Sequence, residues 1–272
     1  MRNFGEQKWE IFSERQHQVA TSITIFSNPL QRLVTKGISV IESREFTVIL
    51  SNGKGEPIMR PVTEGLKLVG NVIAHPTMIG TLASIGFNPL KSSWDAGEPW
   101  WNPRAIRYLH ERVTDGAKVF EWGSGASTVW LDSLGLSVVS IESDARWAEK
   151  VQAALPNVTI KLIPGEEHGN IPNHDQLRET PLTTYFDHYV SAIDEYPDDY
   201  FDVVIIDGMA RDSCAQRCRT KVRRGGTVVI EDTHWHVFNE CCKSLWDFEV
   251  TRFRGFKRRS AEINETTFLT RL

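Results

Sequence analysis

Apolar residues along the chain follow two patterns that change near residue 100. Before that point, short β-branched runs separated by turn dipeptides predict strands at residues 23–26, 38–41 and 46–50. Beyond it, stretches with helical spacing alternate with continuous apolar runs, a pattern typical of strands that are buried on both faces and separated by helices. We therefore predict a small β-rich or α+β unit followed by an α/β domain with a mostly parallel sheet.

The α/β region divides into alternating strands and helices, with a long polar segment before the last two strands. The predicted strands are 118–122, 137–142, 158–163, 201–207 and 227–231, and the predicted helices lie near 105–113, 128–134 and 145–155. Residues 224–226, Arg-Gly-Gly, predict a turn just before the final strand of this series. Residues 248–256 and 266–272 predict two further strands, and their short connection makes the pair antiparallel.

A segment rich in glycine and proline, residues 84–103, separates the two patterns. Its breakers exclude a long regular element, which is typical of a connector. We predict an N-terminal accessory unit with its connector over residues 1–95 and a larger domain over residues 96–272. The accessory unit is expected to help bind substrate or a second subunit of a homo-oligomer.

Composition and charge narrow the class of protein. The 272 residues are 40% hydrophobic and 24% charged, which is ordinary for a globular protein, and the net charge of −4 disfavours general nucleic-acid binding. The amino terminus lacks the apolar core of a signal peptide, and no run reaches the roughly 18 apolar residues of a membrane span. The four cysteines all lie in the last quarter and make no disulfide framework. We expect a soluble, cytoplasmic protein.

A glycine loop at residues 123–125 lies between a predicted strand and a predicted helix. Glycines there allow a tight turn and close approach to a ligand, and the helix start directs free N–H groups toward it. Glu142 ends the next predicted strand, where a carboxylate can accept hydrogen bonds from both hydroxyls of a ribose. Loop and acid together favour nucleoside binding, whereas the loop alone is also compatible with an ordinary strand-to-helix turn.

The order of these motifs resembles that of the class I S-adenosylmethionine-dependent methyltransferases over about residues 102–272. The resemblance is carried by Glu121-x-Gly123-x-Gly125, Glu142, Asp207-Gly208 and the terminal strand pair. The run 120–128 together with Ile206-Asp207-Gly208, Arg211 and Cys214 is similar to a bacterial group of such enzymes whose substrates are poorly defined. The chain departs from the common loop at Ser127, where a third glycine is frequent. A Rossmann-like methyltransferase sheet is therefore expected.

The resemblance also implies a cofactor, S-adenosylmethionine, and residues that hold it. In the family, the residue matching Glu121 lies near the methionine end of the cofactor, and the one matching Glu142 holds the ribose. The cofactor-binding residues predicted in this way are Glu121, Gly123, Ser124, Gly125, Ser127, Thr128, Glu142 and Asp207.

Catalytic residues are predicted at the ends of two neighbouring strands. Asp207 and Asp232 follow these strands, and His234 can accept a proton near neutral pH, although a surface role is an equal alternative. A divalent metal on the two aspartates is possible but not favoured, because Thr233 stands where metal-dependent O-methyltransferases have an asparagine. The paired-proline tetrapeptide of base methyltransferases is absent after Asp207, which argues against exocyclic base methylation.

Two further groups are predicted to contact a substrate. Trp100 and Trp101 could cover the cofactor or stack on an acceptor, with core packing as the alternative. Arg252 and Arg254 share one strand face and could bind an acidic acceptor, with a solvated edge as the alternative. The cysteines lack the spacing of a common zinc site, so buried thiols are expected.

The function predicted from the sequence is S-adenosylmethionine-dependent methyl transfer, and the favoured acceptor is an oxygen of a small molecule or sugar. No nucleic-acid or membrane partner is favoured. Two alternatives stay open at this point. One is an aminopropyltransferase-like enzyme that uses a decarboxylated relative of the cofactor, and the other is a non-catalytic nucleotide-binding or assembly module.

Overall fold

The computed structural model describes residues 92–173, 184–235, 241–260 and 262–272, and the backbone of four short strands nearer the amino terminus. The chain forms two compact units, residues 1–76 and 77–272. The predicted strand at 38–41 lies outside the described residues. The assignment of residues 1–95 to an accessory unit with its connector, and of 96–272 to the larger domain, stays a prediction.

The first unit contains a four-stranded antiparallel sheet in the order β1-β2-β3-β4. Its strands are β1 (Gln7–Glu10), β2 (Ser22–Ile25), β3 (Val48–Ser51) and β4 (Pro57–Ile58). Two of them, β2 and β3, coincide with strands predicted at residues 23–26 and 46–50. The β-rich character expected of this unit is therefore present in its described strands.

The second unit contains a seven-stranded sheet with helices between its strands. Its strands are β5 (Lys118–Trp122), β6 (Ser137–Glu142), β7 (Thr159–Leu162), β8 (Phe201–Ile206), β9 (Val222–Ile230), β10 (Glu249–Phe256) and β11 (Ile263–Thr270). Its helices are α1 (Ser93–Ala96), α2 (Pro103–His110), α3 (Ala126–Ser133), α4 (Ala145–Ala154), α5 (Asp187–Ser191) and α6 (Arg211–Arg217). Single 3₁₀ turns lie at Ala192–Glu195, Cys218–Thr220 and Cys242–Leu245.

The strand order is β10-β11-β9-β8-β5-β6-β7. Neighbouring strands from β7 across to β9 are parallel, whereas β11 is antiparallel to both β9 and β10. This confirms the predicted α/β fold, a Rossmann-like, mostly parallel sheet with an antiparallel C-terminal strand pair. The strand order reverses at β5, because β6 lies on one side of it and β8 on the other. Ligands of such sheets bind at the carboxyl ends of the strands beside this point.

Alternation along the strands builds a separate core on each face of the sheet. In β5, Phe120 and Trp122 belong to one apolar cluster and Val119 to the other, and all three are fully buried. Glu121 shares the face of Val119 by the same two-residue period. The sequence thus places the carboxylate of Glu121 among the buried side chains on one face of the sheet.

The predicted turn at residues 224–226 is wrong, because these residues lie within β9. Their strand pairing is irregular, since Phe201 is opposite Val222 while Val203 is opposite Thr227. Gly225 adopts a φ of +75°, which glycine tolerates and other residues disfavour. The glycines that predict a turn therefore form a bulge, and β9 begins five residues earlier than predicted.

Among the described residues, no helix has the length and apolar character that crossing a bilayer would require.

Candidate active site

The glycine loop connects β5 to α3 where the sheet changes direction. Gly123 has a φ of +95°, and a Cβ built on it would lie 2.8 Å from the carbonyl carbon and oxygen of Asp207. Its N–H donates to Ile141 O at 2.8 Å. Only glycine satisfies both the backbone conformation and the space. The loop after β5 therefore packs directly against the backbone that follows β8.

The carboxylate of Glu121 lies below this loop and is fully buried. It accepts hydrogen bonds from Ser127 Oγ at 2.5 Å, Thr128 Oγ1 at 2.6 Å and Ser140 Oγ at 2.7 Å. Thr128 Oγ1 also accepts from Gly125 N at 2.8 Å. Burial raises the pKa of Glu121 from 4.5 to about 7. These bonds tie the first turn of α3 to two strands, and the roles of Glu121, Ser127 and Thr128 toward a cofactor stay predictions.

The carboxylate of Glu142, at the end of β6, is surrounded by donors from the loop and from its own strand end. Oε2 accepts from Ser124 N at 3.0 Å and from Ser124 Oγ at 3.1 Å. Oε1 accepts from Ser143 N at 2.7 Å and from Asp144 N at 2.9 Å. The structure therefore brings together the acid and the glycine loop that the sequence predicts as a nucleoside site.

Trp147 supports the same loop from α4, and sequence reasoning missed it. Its indole N–H donates to Ser124 O at 2.5 Å. Its ring packs on Trp94 with centroids 5.5 Å apart, and the ammonium group of Lys150 lies over both rings. The signal that could have found Trp147 is the helix cap Asp144, whose carboxylate accepts from Trp147 N and fixes where α4 begins.

Asp207 directly follows β8, the strand beside β5, and is held by two long side chains. Its Oδ2 accepts from Trp101 Nε1 at 3.1 Å, and its Oδ1 lies 3.2 Å from Arg211 Nη2. Burial raises the pKa of Asp207, and the charge of Arg211 opposes that rise. Trp101 lies in the core beside Trp130, and its indole N–H reaches the carboxylate of Asp207. Its contact with a substrate stays a prediction.

Arg211 connects the ends of β8 and β9. In the sequence analysis it is named only among the residues that carry the family resemblance. Its Nε donates to Gly208 O at 3.0 Å and its Nη1 to Glu231 O at 2.7 Å. Its Nη1 also lies 3.8 Å from Asp232 Oδ2. A single guanidinium, on a side chain that is 11% exposed, therefore fixes the spacing of two strand ends, which suits its planar fork of donors.

Asp232 lies beside a buried lysine and has a left-handed backbone, with φ of +58°. Lys257 Nζ is 3.3 Å from Asp232 Oδ1 and 4.1 Å from the centroid of the Trp100 ring. The Lys257 side chain is 4% exposed, whereas Trp100 is 50% exposed. Lys257 is not among the site residues predicted from the sequence, and its burial against Asp232 depends on contacts between distant parts of the chain.

His234 lies on the same surface, with its Nδ1 4.0 Å from Asp232 Oδ1. That distance is an ion-pair separation and too long for a hydrogen bond. Burial lowers the pKa of His234, with Asp232 acting in the opposite direction and Lys257 and Arg254 adding to the decrease. The imidazole is therefore mostly neutral at pH 7. Trp235, 50% exposed, packs against it with ring centroids 5.7 Å apart.

Glu231 is a third carboxyl group at this edge, absent from the predicted site residues. It is 1% exposed, and its Oε1 accepts from Asn264 Nδ2. Burial raises its pKa well above the usual range, and the charge of Asp207 adds to the effect. Two cations, Arg211 and Lys257, thus lie among the three carboxyl groups of Asp207, Glu231 and Asp232.

Arg252 and Arg254 lie on the exposed face of β10, as their two-residue spacing predicts. Arg252 Nη1 donates to Glu265 Oε1 on β11 at 3.1 Å. Arg254 is close enough to His234 to lower its pKa. Their contact with an acceptor stays a prediction.

Within the described ranges, no group of three or more His, Cys, Asp or Glu side chains is arranged to hold a metal ion. Asp207 and Asp232 face the cations Arg211 and Lys257 instead. The four cysteines, Cys214, Cys218, Cys241 and Cys242, are buried thiols, and burial raises their pKa values.

Solved structures offer distant likenesses to this chain. A methyltransferase-like protein from Silicibacter pomeroyi is 22% identical, with a TM-score of 0.44 over 64% of this chain and 88% of the other. Spermidine synthase from Thermotoga maritima is 14% identical, with a TM-score of 0.41 over 97% and 73%. A candidate sarcosine dimethylglycine methyltransferase from Galdieria sulphuraria is 12% identical, with a TM-score of 0.35 over 56% of this chain and 62% of its own length.

No protein-family model and no curated protein matches the chain. The fold class therefore follows from the order and directions of the strands described above. The function has to be argued from the residues at the carboxyl ends of β5, β6, β8 and β9.

Proposed function

We propose that this protein is an S-adenosylmethionine-dependent methyltransferase that acts on an oxygen of a small molecule or sugar. One observation carries the proposal. The carboxylate of Glu142 at the end of β6 faces the glycine loop at the end of β5, with Ser124 N 3.0 Å from its Oε2. A carboxylate suits ribose hydroxyls, and a tight loop that opens a helix suits the close approach of a nucleoside.

The donor set fits this cofactor at its charged end as well. When bound, the cofactor supplies an electrophilic methyl group on a positively charged sulfonium. Glu121 and Asp207 are carboxyl groups whose pKa values are raised by burial. A cation beside a carboxyl group favours its ionised form. The positive charge of the bound cofactor would therefore oppose the effect of burial on these two carboxyl groups, at the ends of β5 and β8. Glu142 and the loop 123–125 would hold the nucleoside.

The acceptor side of the proposal depends on His234. Asp232 lies on the buried Nδ1 side of the imidazole and favours the tautomer with its proton on Nδ1. Nε2 is then free to accept the proton of an acceptor hydroxyl as its oxygen takes the methyl group. The lowered pKa of His234 keeps this nitrogen unprotonated at neutral pH. Alignment of the two reactants supplies most of the remaining rate enhancement.

Exposed apolar side chains lie beside this base and elsewhere among the charged groups of the site. Trp100 and Trp235 are each 50% exposed, and Met209 is 36% exposed. Trp100 covers Lys257, and Trp235 packs on His234. Flat apolar surfaces beside a polar cluster favour a small acceptor with a ring or a sugar face.

The test is a methyl-transfer assay with labelled S-adenosylmethionine and a panel of phenols, hydroxy acids and sugars. We expect S-adenosylhomocysteine to form together with a methylated acceptor. His234→Gln should lower turnover by about 100-fold or more, since positioned bases contribute on that order. His110→Gln, an exposed histidine at the end of α2, is the matched control and should leave turnover unchanged.

The same assay separates the alternatives. Consumption of decarboxylated S-adenosylmethionine with aminopropyl transfer would identify an aminopropyltransferase. Tight cofactor binding with no transfer to any acceptor, together with stable capture of a protein partner, would favour a binding module. Either result would overturn the proposed activity.

A further inference from the structure

Four close protein donors, within 3.1 Å, fill the carboxylate of Glu142, and the hydroxyl of Ser143 lies farther away, 3.5 Å from Oε1. A carboxylate offers about four lone-pair directions, two on each oxygen. Ser143 N and Asp144 N occupy Oε1, while Ser124 N and Ser124 Oγ occupy Oε2. A ribose hydroxyl that donates to this carboxylate must therefore take the place of one of the four.

Three of the four close donors are backbone N–H groups, and moving any of them away would require the backbone to shift. Ser143 N and Asp144 N belong to the backbone between β6 and the cap of α4. Ser124 N belongs to the glycine loop, whose position is fixed by Gly123 against Asp207 and by Trp147 on Ser124 O. The hydroxyl of Ser124 differs, because rotation about one side-chain bond moves it away while the backbone stays in place.

We infer that the Ser124 hydroxyl competes with a ribose hydroxyl for Oε2 of Glu142 and so limits the affinity of the site for adenosyl ligands. This inference rests on the proposed function, because it concerns the same cofactor site. Ser124 rotates away as the ribose binds, and the cost of breaking its bond to a charged acceptor is subtracted from the binding free energy.

A purely supporting role for Ser124 predicts the opposite sign. If the hydroxyl only holds the Glu142 side chain in place, then Ser124→Ala loosens the carboxylate and weakens binding. If it competes, Ser124→Ala leaves a vacant direction on Oε2 and strengthens binding. The backbone bond from residue 124 to Oε2 is retained in the variant, so the carboxylate keeps three of its four close donors.

The experiment is calorimetric titration of the full chain with two probes, S-adenosylhomocysteine and its 2′,3′-dideoxy analogue. We expect Ser124→Ala to bind S-adenosylhomocysteine about threefold to tenfold more tightly than wild type, since the net contribution of an ordinary protein hydrogen bond corresponds to about this factor. The dideoxy analogue should show no gain, because it has no hydroxyl to place on Oε2. Ser133→Ala, a serine on α3 that bonds Trp130 O, is the matched control.

Each outcome decides the matter. Weaker or unchanged binding of S-adenosylhomocysteine by folded Ser124→Ala overturns the competition while leaving the proposed function standing. An equal gain for the dideoxy analogue also overturns it, because the gain would then not involve the ribose hydroxyls. Absence of binding to wild type overturns the proposed function and this inference with it. Retention of fold is checked by the thermal midpoints of the variants.

Discussion

The indole N–H of Trp101 donates to Oδ2 of Asp207 at 3.1 Å, joining two residues 106 positions apart in the sequence. Trp101 is 1% exposed and packs edge-on against Trp130. The hydrogen bond stabilises the ionised form of Asp207 against the effect of burial. A core tryptophan thus influences the charge at the end of β8, where the proposed cofactor site lies.

Replacing Trp101 by phenylalanine should raise the pKa of Asp207 further while keeping an aromatic ring in the core. An acid whose folded pKa is raised contributes stability at low pH that is lost as pH rises through that pKa. The variant should therefore lose more stability relative to wild type as the pH increases, starting from a cost of about 1–3 kcal/mol for the lost bond and volume. Urea unfolding across pH measures this difference.

Trp130→Phe is the matched control for that prediction. It removes similar volume from the same cluster, and the ring lies beside Trp101 with centroids 6.4 Å apart. Its cost in unfolding free energy should not vary with pH. Parallel pH curves for the two variants would show that the bond from Trp101 does not affect the charge of Asp207.

Glu121 should destabilise the folded protein as the pH rises toward neutrality. Its pKa is raised by burial from 4.5 to about 7, so the folded state holds more protons than the unfolded state between these values. The stabilising contribution is complete below about pH 4.5 and is lost through about pH 7. Glu121→Gln cannot titrate and should gain on wild type by up to about 3 kcal/mol across that window.

The measurement is the difference in unfolding free energy between Glu121→Gln and wild type at several pH values. Only its slope is interpreted, because the amide also changes the bonds to Ser127, Thr128 and Ser140. Glu149→Gln, on the exposed side of α4, should give a flat difference. A flat line for Glu121→Gln as well would mean that this carboxylate titrates near its ordinary value in the folded protein.

His234 should set the acidic limb of the pH profile of kcat/KM. Burial lowers its pKa below 6.5, so activity should hold steady at neutral pH and fall only as the pH drops through the lowered value. His234→Gln should remove this limb along with most of the activity. An unchanged limb in the residual activity of that variant would assign the titration to another group.

Arg252 and Arg254 should affect the acceptor and not the cofactor. If their exposed face binds an anionic acceptor, replacing both with Gln should raise the acceptor KM about tenfold, and added salt should mimic the change in wild type. Arg252 also bonds Glu265, so thermal unfolding of the double variant is measured alongside. Arg107→Gln, exposed on α2, serves as the control. Unaltered acceptor kinetics would return the pair to the role of a solvated strand edge.

Sequence patterns predict the parts of this protein that depend on neighbours along the chain. The apolar runs that end at Trp122 and Glu142 predict β5 and β6 with their ends correct, because buried strands need continuous hydrophobic residues. The same reasoning fails at Gly225, where a strand bulge and a turn share one composition. Local pattern therefore locates the acid and the loop of the candidate site.

Contacts between distant segments account for what the sequence could not predict. Lys257 lies in a basic run near the carboxyl terminus, and only the packing of Trp100 and Asp232 shows that its ammonium group is buried. The support of Ser124 by Trp147 joins residues 23 positions apart on two different segments. Side-chain pairing of this kind is set by three-dimensional packing, which a periodic pattern does not encode.

The most direct test of the proposed function is calorimetric titration of the wild-type chain and Glu142→Ala with S-adenosylhomocysteine. We predict binding to wild type at a single site and a loss of about 1–3 kcal/mol in Glu142→Ala, because the ribose loses its charge-assisted hydrogen bonds. Glu149→Ala should bind as wild type does. Absence of binding to the folded wild-type chain, or equal affinity in wild type and Glu142→Ala, would contradict a nucleoside site at the ends of β5 and β6.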